Sequence, residues 1–203
     1  MNKAKRLIGI LAGVLLLSAC GGKAPYELDG ANIGGPFALI DQDGKTIRWS
    51  DFDGKYRLVY FGYAYCPDVC PLDLNRIMAG YRLFAESNPA AAAKLQPIFI
   101  TVDPVRDTPE AIKTYVSAFP GGLVGLTGPS DEIERVKKAF VVVASKEGDA
   151  KATQDYLVSH SRTPFLFDPQ GKPMALVPVQ DGSTDEEAFA PEGIRDFLKK
   201  WVS

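Results

Sequence analysis

Histidine is almost absent from this sequence. His160 stands alone among 203 residues, so any chemistry that needs an imidazole falls on one position. Cysteine is scarce as well, with three residues. That is too few for the disulfide framework of a small secreted scaffold. Positive charge has no excess: 23 Lys and Arg face 25 Asp and Glu, for a net charge of −2. No basic stripe with interleaved aromatics appears, which removes the electrostatic basis for nucleic acid binding. The apolar run Leu7–Leu17 is shorter than the roughly 18 residues a membrane helix needs.

That run does fit an export signal. Lys3, Lys5 and Arg6 precede it, and the small residues of Leu17-Ser18-Ala19 close it. Cys20 follows directly, and Leu17-Ser18-Ala19-Cys20 resembles the bacterial lipobox, in which the cysteine is acylated and becomes the mature N-terminus. Residues 1–19 are therefore expected to be a lipoprotein signal peptide, and Cys20 the lipidation site. A Gly-rich tether is expected over 20–35 and one domain over 36–203. Several acyl chains anchor stably where one would be marginal. Gly21 after the cysteine permits an outer-membrane anchor. Setting aside the basic signal residues leaves the exported part more acidic.

With Cys20 assigned to lipid, Cys66 and Cys70 remain, in a chain read as bound for an oxidising compartment. A disulfide across so short a loop constrains the unfolded chain little. The pair therefore points to function. It sits in Tyr65-Cys66-Pro67-Asp68-Val69-Cys70-Pro71, between an apolar strand pattern ending at Tyr63 and a helical pattern from Leu72, with Pro71 placed as a first helical residue. A helix N-terminus stabilises thiolate, and both sulfurs are expected in that field.

Around the loop, Asp43-Gly44 between apolar runs predicts an N-terminal β-hairpin. Arg57–Tyr63 and Pro97–Val102 read as buried strands. Thr108-Pro109-Glu110 reads as a capped helix start, and Ser130 as the cap of another helix. Gly122–Leu126 and Val141–Val143 read as strands, and 149–154 as an exposed loop. Thr163–Phe167 with Met174–Val179 reads as a hairpin, and Pro191 begins a last helix. The order β-α-β-α and then β-β-α predicts an α/β thioredoxin-like fold: a central mixed sheet flanked by helices, carrying the N-terminal hairpin.

The spacing Cys-x-x-x-Cys differs from the Cys-x-x-Cys of thioredoxins. The extra residue gives the loop room to wrap both sulfurs around one ion, without forbidding a disulfide. Soft thiolates suit Cu(I), and imidazole suits copper and zinc. Structural zinc usually takes four ligands, and the nitrogen and sulfur donors here number three, with Asp68 as an oxygen in reserve. His160 itself reads two ways, as a lone strand-end histidine or as the third ligand. Asp103, Arg106 and Asp107 read either as functional groups or, by preference, as a strand-end turn with an ion pair before a helix.

Three stretches together resemble the Sco/SenC family of copper chaperones. They are Phe61–Pro71, Thr101–Glu110, and Asp155–Ser161 followed by Asp168-Pro169-Gln170-Gly171. The resemblance implies a thioredoxin-like fold and copper, as Cu(I), Cu(II) or both, held by Cys66, Cys70 and His160. It also implies a role in delivering copper to, or helping to metallate, the CuA centre of cytochrome c oxidase. The implied partners are the copper-bearing oxidase subunit, another periplasmic copper chaperone, or a thioredoxin-like reductant. The implied place is the bacterial cell envelope, with the lipid-anchored domain facing the periplasm or the outer face of the cytoplasmic membrane. The same resemblance allows a second use of Cys66 and Cys70, as the catalytic pair of a thiol–disulfide oxidoreductase acting on the oxidase subunit or other exported proteins. Two features depart from the pattern: a lipid where the family often has a transmembrane anchor, and Thr163-Pro164 where it usually has apolar residues. A cis bond there would resemble the cis-proline of thioredoxins and favour disulfide exchange.

Overall fold

The computed structural model describes residues 26–148, 155–178 and 189–203. Residues 1–19, expected as a signal peptide, Cys20, the first part of the expected tether, the 149–154 loop and Val179 lie outside the described residues. None of the described helices is long and apolar enough to cross a membrane.

The chain begins with the expected hairpin, β1 (Ala38–Asp41) and β2 (Thr46–Arg48), followed by one 3-10 turn at Trp49–Phe52. Asp41 closes the hairpin by accepting the backbone N–H groups of Asp43 and Lys45 on one carboxylate oxygen. Then come β3 (Tyr56–Gly62), α1 (Val69–Ser87), the short α2 (Pro89–Ala92) and β4 (Leu95–Thr101). They lead to α3 (Pro109–Ser117), β5 (Val124–Thr127) and α4 (Ser130–Ala139). The chain continues through β6 (Ala144–Glu147), β7 (Leu157–His160), β8 (Phe165–Phe167), β9 (Pro173–Leu176) and α5 (Pro191–Trp201).

Seven strands form one mixed sheet in the order β2-β1-β5-β4-β3-β8-β9, with β3, β4 and β5 parallel. Alternation along β3 feeds both faces. Leu58 and Tyr60 join α1, α3 and α5 on one side, while Val59 and Phe61 join Trp49, Phe140 and Phe165 on the other. Burial on both faces is why β3 reads as a continuous apolar run instead of an alternating one. Gly80 lets α1 and α5 touch, since a Cβ there would lie 2.4 Å from Ile194 Cβ and 2.7 Å from the Pro191 carbonyl. The arrangement is the expected thioredoxin-like α/β fold.

β6 and β7 stand apart as their own two-stranded antiparallel sheet, registered Ala144 to His160 and Glu147 to Leu157. Its residues are partly or fully exposed.

Several local expectations are corrected. α1 starts at Val69, so Cys70 already lies in its first turn and Pro71 is the third helical residue. Proline is tolerated there because the first four helical N–H groups lack intrahelical partners anyway. Ser130 is the first residue of α4, and the cap position belongs to Pro129, which has no side-chain acceptor to offer. Val141–Val143 is no strand. Val141 has φ +56°, and Val141 and Val142 donate to the Lys138 and Lys137 carbonyls, so this segment terminates α4. Three β-branched residues suggest a strand, yet a left-handed residue after a helix satisfies its last carbonyls. Residues 26–35, read as tether, run along the domain. Tyr26 packs edge-on to Trp201 with ring centroids 6.1 Å apart, and Leu28 and Gly34 donate to the Met174 and Ala139 carbonyls. No described peptide bond is cis, so Thr163–Pro164 is trans.

Candidate metal centre

The parallel β3–β4 pair ends at Gly62 and Thr101, and the chain then turns through the cysteine loop into α1. Asp107 holds this loop from behind. Its buried Oδ2 accepts the Ala64 N–H at 2.9 Å and the Thr101 hydroxyl at 2.6 Å. Burial raises the Asp107 carboxyl to about 6, against the lowering effect of those hydrogen bonds.

The loop surface is exposed, with Tyr65 at 56% and Pro67 and Asp68 also outward, while the thiols point in. Cys66 is 8% exposed and Cys70 is fully buried, and no disulfide joins them. The Cys70 backbone N–H donates to Cys66 Sγ at 3.3 Å. The Cys66 thiol is lowered to about 5 by its hydrogen bond with the Cys70 side chain, and further by the N–H groups of Asp68 and Cys70, with burial opposing. The Cys70 thiol is pushed up, first by the same bond to Cys66 and then by burial. The hydrogen bond between the two side chains therefore separates the sulfurs: the charge falls to Cys66 and the proton to Cys70. The sequence reading placed both in the same field. The difference arises because two adjacent thiols cannot both ionise without repulsion.

His160 arrives from the far end of β7. Its Nε2 lies 3.0 Å from Cys70 Sγ, across 90 positions of sequence. Its Nδ1 lies 2.9 Å from the Ser161 carbonyl. A carbonyl only accepts, so Nδ1 carries the hydrogen, and the Nε2 lone pair and the Cys66 sulfur share the one thiol proton of Cys70. The rings of Tyr60 and Tyr63 stand edge-on to the imidazole, with centroids at 6.3 Å and 6.0 Å. The structure thus brings Cys66, Cys70 and His160 to one place, and leaves Asp68 exposed at the rim.

The donor set is two sulfurs, one of them a thiolate, and one imidazole nitrogen. As it stands it is drawn together by the thiol–imidazole bond, and among the described residues no three His, Cys, Asp or Glu side chains are already spaced as a metal cage. Sulfur and nitrogen donors on one tetrahedral ion stand about 3.5 Å apart. An ion would replace the Cys70 proton and open this contact by roughly half an ångström, within side-chain rotation. The residues fit a soft or borderline ion.

Polar residues surround these donors, among them Asp103 and Arg106 of the strand-end turn and others that the sequence reading did not name. Arg106 does pair with Asp103, at 2.5 Å from Nε to Oδ2, but the pair also reaches the base of β7. Arg106 Nη1 donates to the Tyr156 carbonyl at 2.9 Å, its guanidinium lies 3.6 Å from the centre of the Tyr156 ring, and the Tyr156 hydroxyl donates to Asp103 at 2.7 Å. Val158 N–H donates to the Tyr63 hydroxyl at 3.2 Å. Beyond His160, Arg162 forms a two-point pair with the buried Asp73 of α1, and Tyr60 donates to the same carboxylate. Asp73 did carry a signal in the sequence, as an acid sharing a helix face with Ile77 and Phe84. Arg162 carried none.

The sequence model of the SCO1/SenC family matches residues 26–192. The mitochondrial Protein SCO2 of Saccharomyces cerevisiae is 38% identical over 170 residues, spanning 84% of this chain and 54% of that protein. This chain therefore covers about half of that yeast relative. An SCO2-like protein of Rickettsia prowazekii is 37% identical, over 83% of each chain. Among solved structures, Bradyrhizobium japonicum ScoI with copper bound superposes with a TM-score of 0.70 at 36% identity, over 83% of this chain and 99% of that one. The extent of the family match, together with relatives of this identity and coverage, shows that the chain belongs to the SCO1/SenC family.

Proposed function

We propose that this chain is a copper carrier that binds the ion through Cys66, Cys70 and His160 and passes it to the copper-bearing subunit of cytochrome c oxidase, at its CuA centre. The observation that carries this reading is the 3.0 Å approach of His160 Nε2 to Cys70 Sγ, with both thiols free. Two sulfurs suffice for Cu(I), and the imidazole extends the set to Cu(II). The acylated Cys20 would hold the domain at the cell-envelope membrane, facing the periplasm or the outer face of the cytoplasmic membrane. Copper is the cargo, and its release is a ligand exchange in which incoming donors of the acceptor replace the thiolates one at a time. The test is copper stoichiometry of the reduced protein. Wild type is expected to hold one copper per chain, and His160→Ala to lose Cu(II) before Cu(I). Absence of stoichiometric copper in the reduced wild type would overturn the reading.

A second reading rests on the division of charge between the thiols. Cys66 as thiolate attacks a partner disulfide and forms a mixed disulfide. Cys70 then gives up its proton as it attacks Cys66 Sγ, and the partner's sulfur leaves as a thiolate that takes up that proton, leaving an intramolecular disulfide and a reduced partner. An external dithiol must restore the pair. His160→Ala keeps this activity and Cys66→Ser abolishes it. Reduction that survives in Cys66→Ser counts against it.

A further inference from the structure

The β6–β7 hairpin brings His160 to the thiols without joining the main sheet. Its ladder satisfies only its own strands, so its direction relative to α1 must come from side chains. At the base of β7 the Asp103–Arg106–Tyr156 cluster and Tyr63 supply part of that direction. The end that carries His160 needs a separate fixing point.

We propose that Asp73 and Arg162 form a lock that sets the imidazole of His160 against the thiols. Arg162 lies two residues beyond His160, and Asp73 lies one helical turn beyond Cys70. Arg162 Nε and Nη2 donate to Asp73 Oδ2 and Oδ1 at 2.8 Å and 2.7 Å. The Tyr60 hydroxyl donates to Oδ2 at 3.1 Å, and the Tyr60 ring stands edge-on to His160. A closed circuit results: Cys70 to Asp73 along α1, Asp73 to Arg162 through the paired bonds, Arg162 to His160 along the chain, and His160 back to Cys70 at 3.0 Å.

Packing alone does not explain this pair. Asp73 is fully buried and the Arg162 side chain is 28% exposed, so both ions give up water to meet. A well-packed apolar pair at such a place commonly gives equal or greater stability. What an apolar pair cannot give is direction. A planar guanidinium on a carboxylate fixes both position and plane. Asp73 and Arg162 are thus positioning residues, which touch the ligand's neighbours and act on the ion through His160. Groups of this kind commonly set metal affinity.

The lock rests on the copper reading only for its metal readout, so the experiment has two arms on the full chain. The first is metal-free hydrogen exchange of the Leu157–His160 amides. Arg162→Gln is expected to speed it by about tenfold while the β3 amides keep their rates. The second is affinity for copper in each oxidation state. Arg162→Gln is expected to weaken Cu(II) by about 10- to 100-fold and shift the thiolate-to-copper absorption band. Cu(I), held by two sulfurs, is expected to stay within about twofold. Arg162→Lys keeps the charge without the fork and is expected to behave like Arg162→Gln. The combined Asp73→Asn, Arg162→Gln variant removes the stranded buried charge and separates loss of the lock from loss of the fold. Unchanged exchange, or equal loss of Cu(I) and Cu(II) affinity in that combined variant, overturns the lock. Faster hairpin exchange in a protein whose wild type takes up no copper keeps the lock and discards the copper reading instead.

Discussion

Cys66 and Cys70 stand where β3 meets α1, with apolar side chains packed on both faces of the sheet and the long helix leaning on α5. His160 stands on a two-stranded hairpin whose residues are partly exposed: Ala144 and Val158 rest on the edge of the core, and the rest of its attachment is polar, through the Arg162–Asp73 pair, the Tyr63 hydroxyl and the stack of Arg106 on Tyr156. The sulfurs are held by burial, which is large, collective and indifferent to direction. The imidazole is held by a few directional bonds, each modest in net energy. A site assembled from such unequal halves holds its soft donors by burial and its nitrogen donor by direction.

The contrast breaks hardest on the platform side. Phe61 is 1% exposed and packs on Phe140 and Phe165 at centroid distances of 5.3 Å and 6.3 Å. Phe61→Ala is expected to cost about 3–5 kcal/mol of global stability in denaturant titration. A loss below about 1 kcal/mol would mean that the platform is not what the core rests on.

Next comes the carboxylate behind the loop. Asp107 titrates at about 6, above its ordinary 3.8. A raised carboxyl penalises the folded state once ionised. Its relief is therefore complete below about pH 4 and is lost as pH rises through about 6. Wild type is expected to gain about 2 kcal/mol relative to Asp107→Asn between pH 7 and pH 4. Parallel stability curves for the two proteins would remove Asp107 from the account.

The smallest effect is expected on the arm. Tyr156→Phe deletes the bond to Asp103, whose other oxygen stays paired with Arg106. It is expected to cost about 1 kcal/mol globally. Proteolysis or exchange should show the loss in the hairpin first. A cost matching that of Phe61→Ala would erase the distinction between platform and arm.

The same division governs what could be read from the chain before its structure. β3 and β4 were legible because strands buried on both faces leave uninterrupted apolar runs. The start of α3 was legible because Thr108 caps it, accepting the Ala111 N–H at 3.3 Å. The cysteine loop announced itself by spacing and position. The arm did not. β6 is Ala-Ser-Lys-Glu, exposed and without alternation, and the preceding valines suggested a strand where the chain was ending a helix. The pairing of Asp73 with Arg162 spans 89 positions. Contacts of that kind follow from tertiary closure and leave no periodicity in a single sequence.

The Nδ1–H bond of His160 goes to its own neighbour, the Ser161 carbonyl, and not to the platform. The tautomer is therefore portable. Because the acceptor is the next residue, the ring keeps its hydrogen on Nδ1 and its lone pair on Nε2 without help from the platform. Closing the site then asks for no proton rearrangement on the imidazole, a step that solvent would otherwise have to catalyse. The one proton displaced by an incoming ion comes from Cys70.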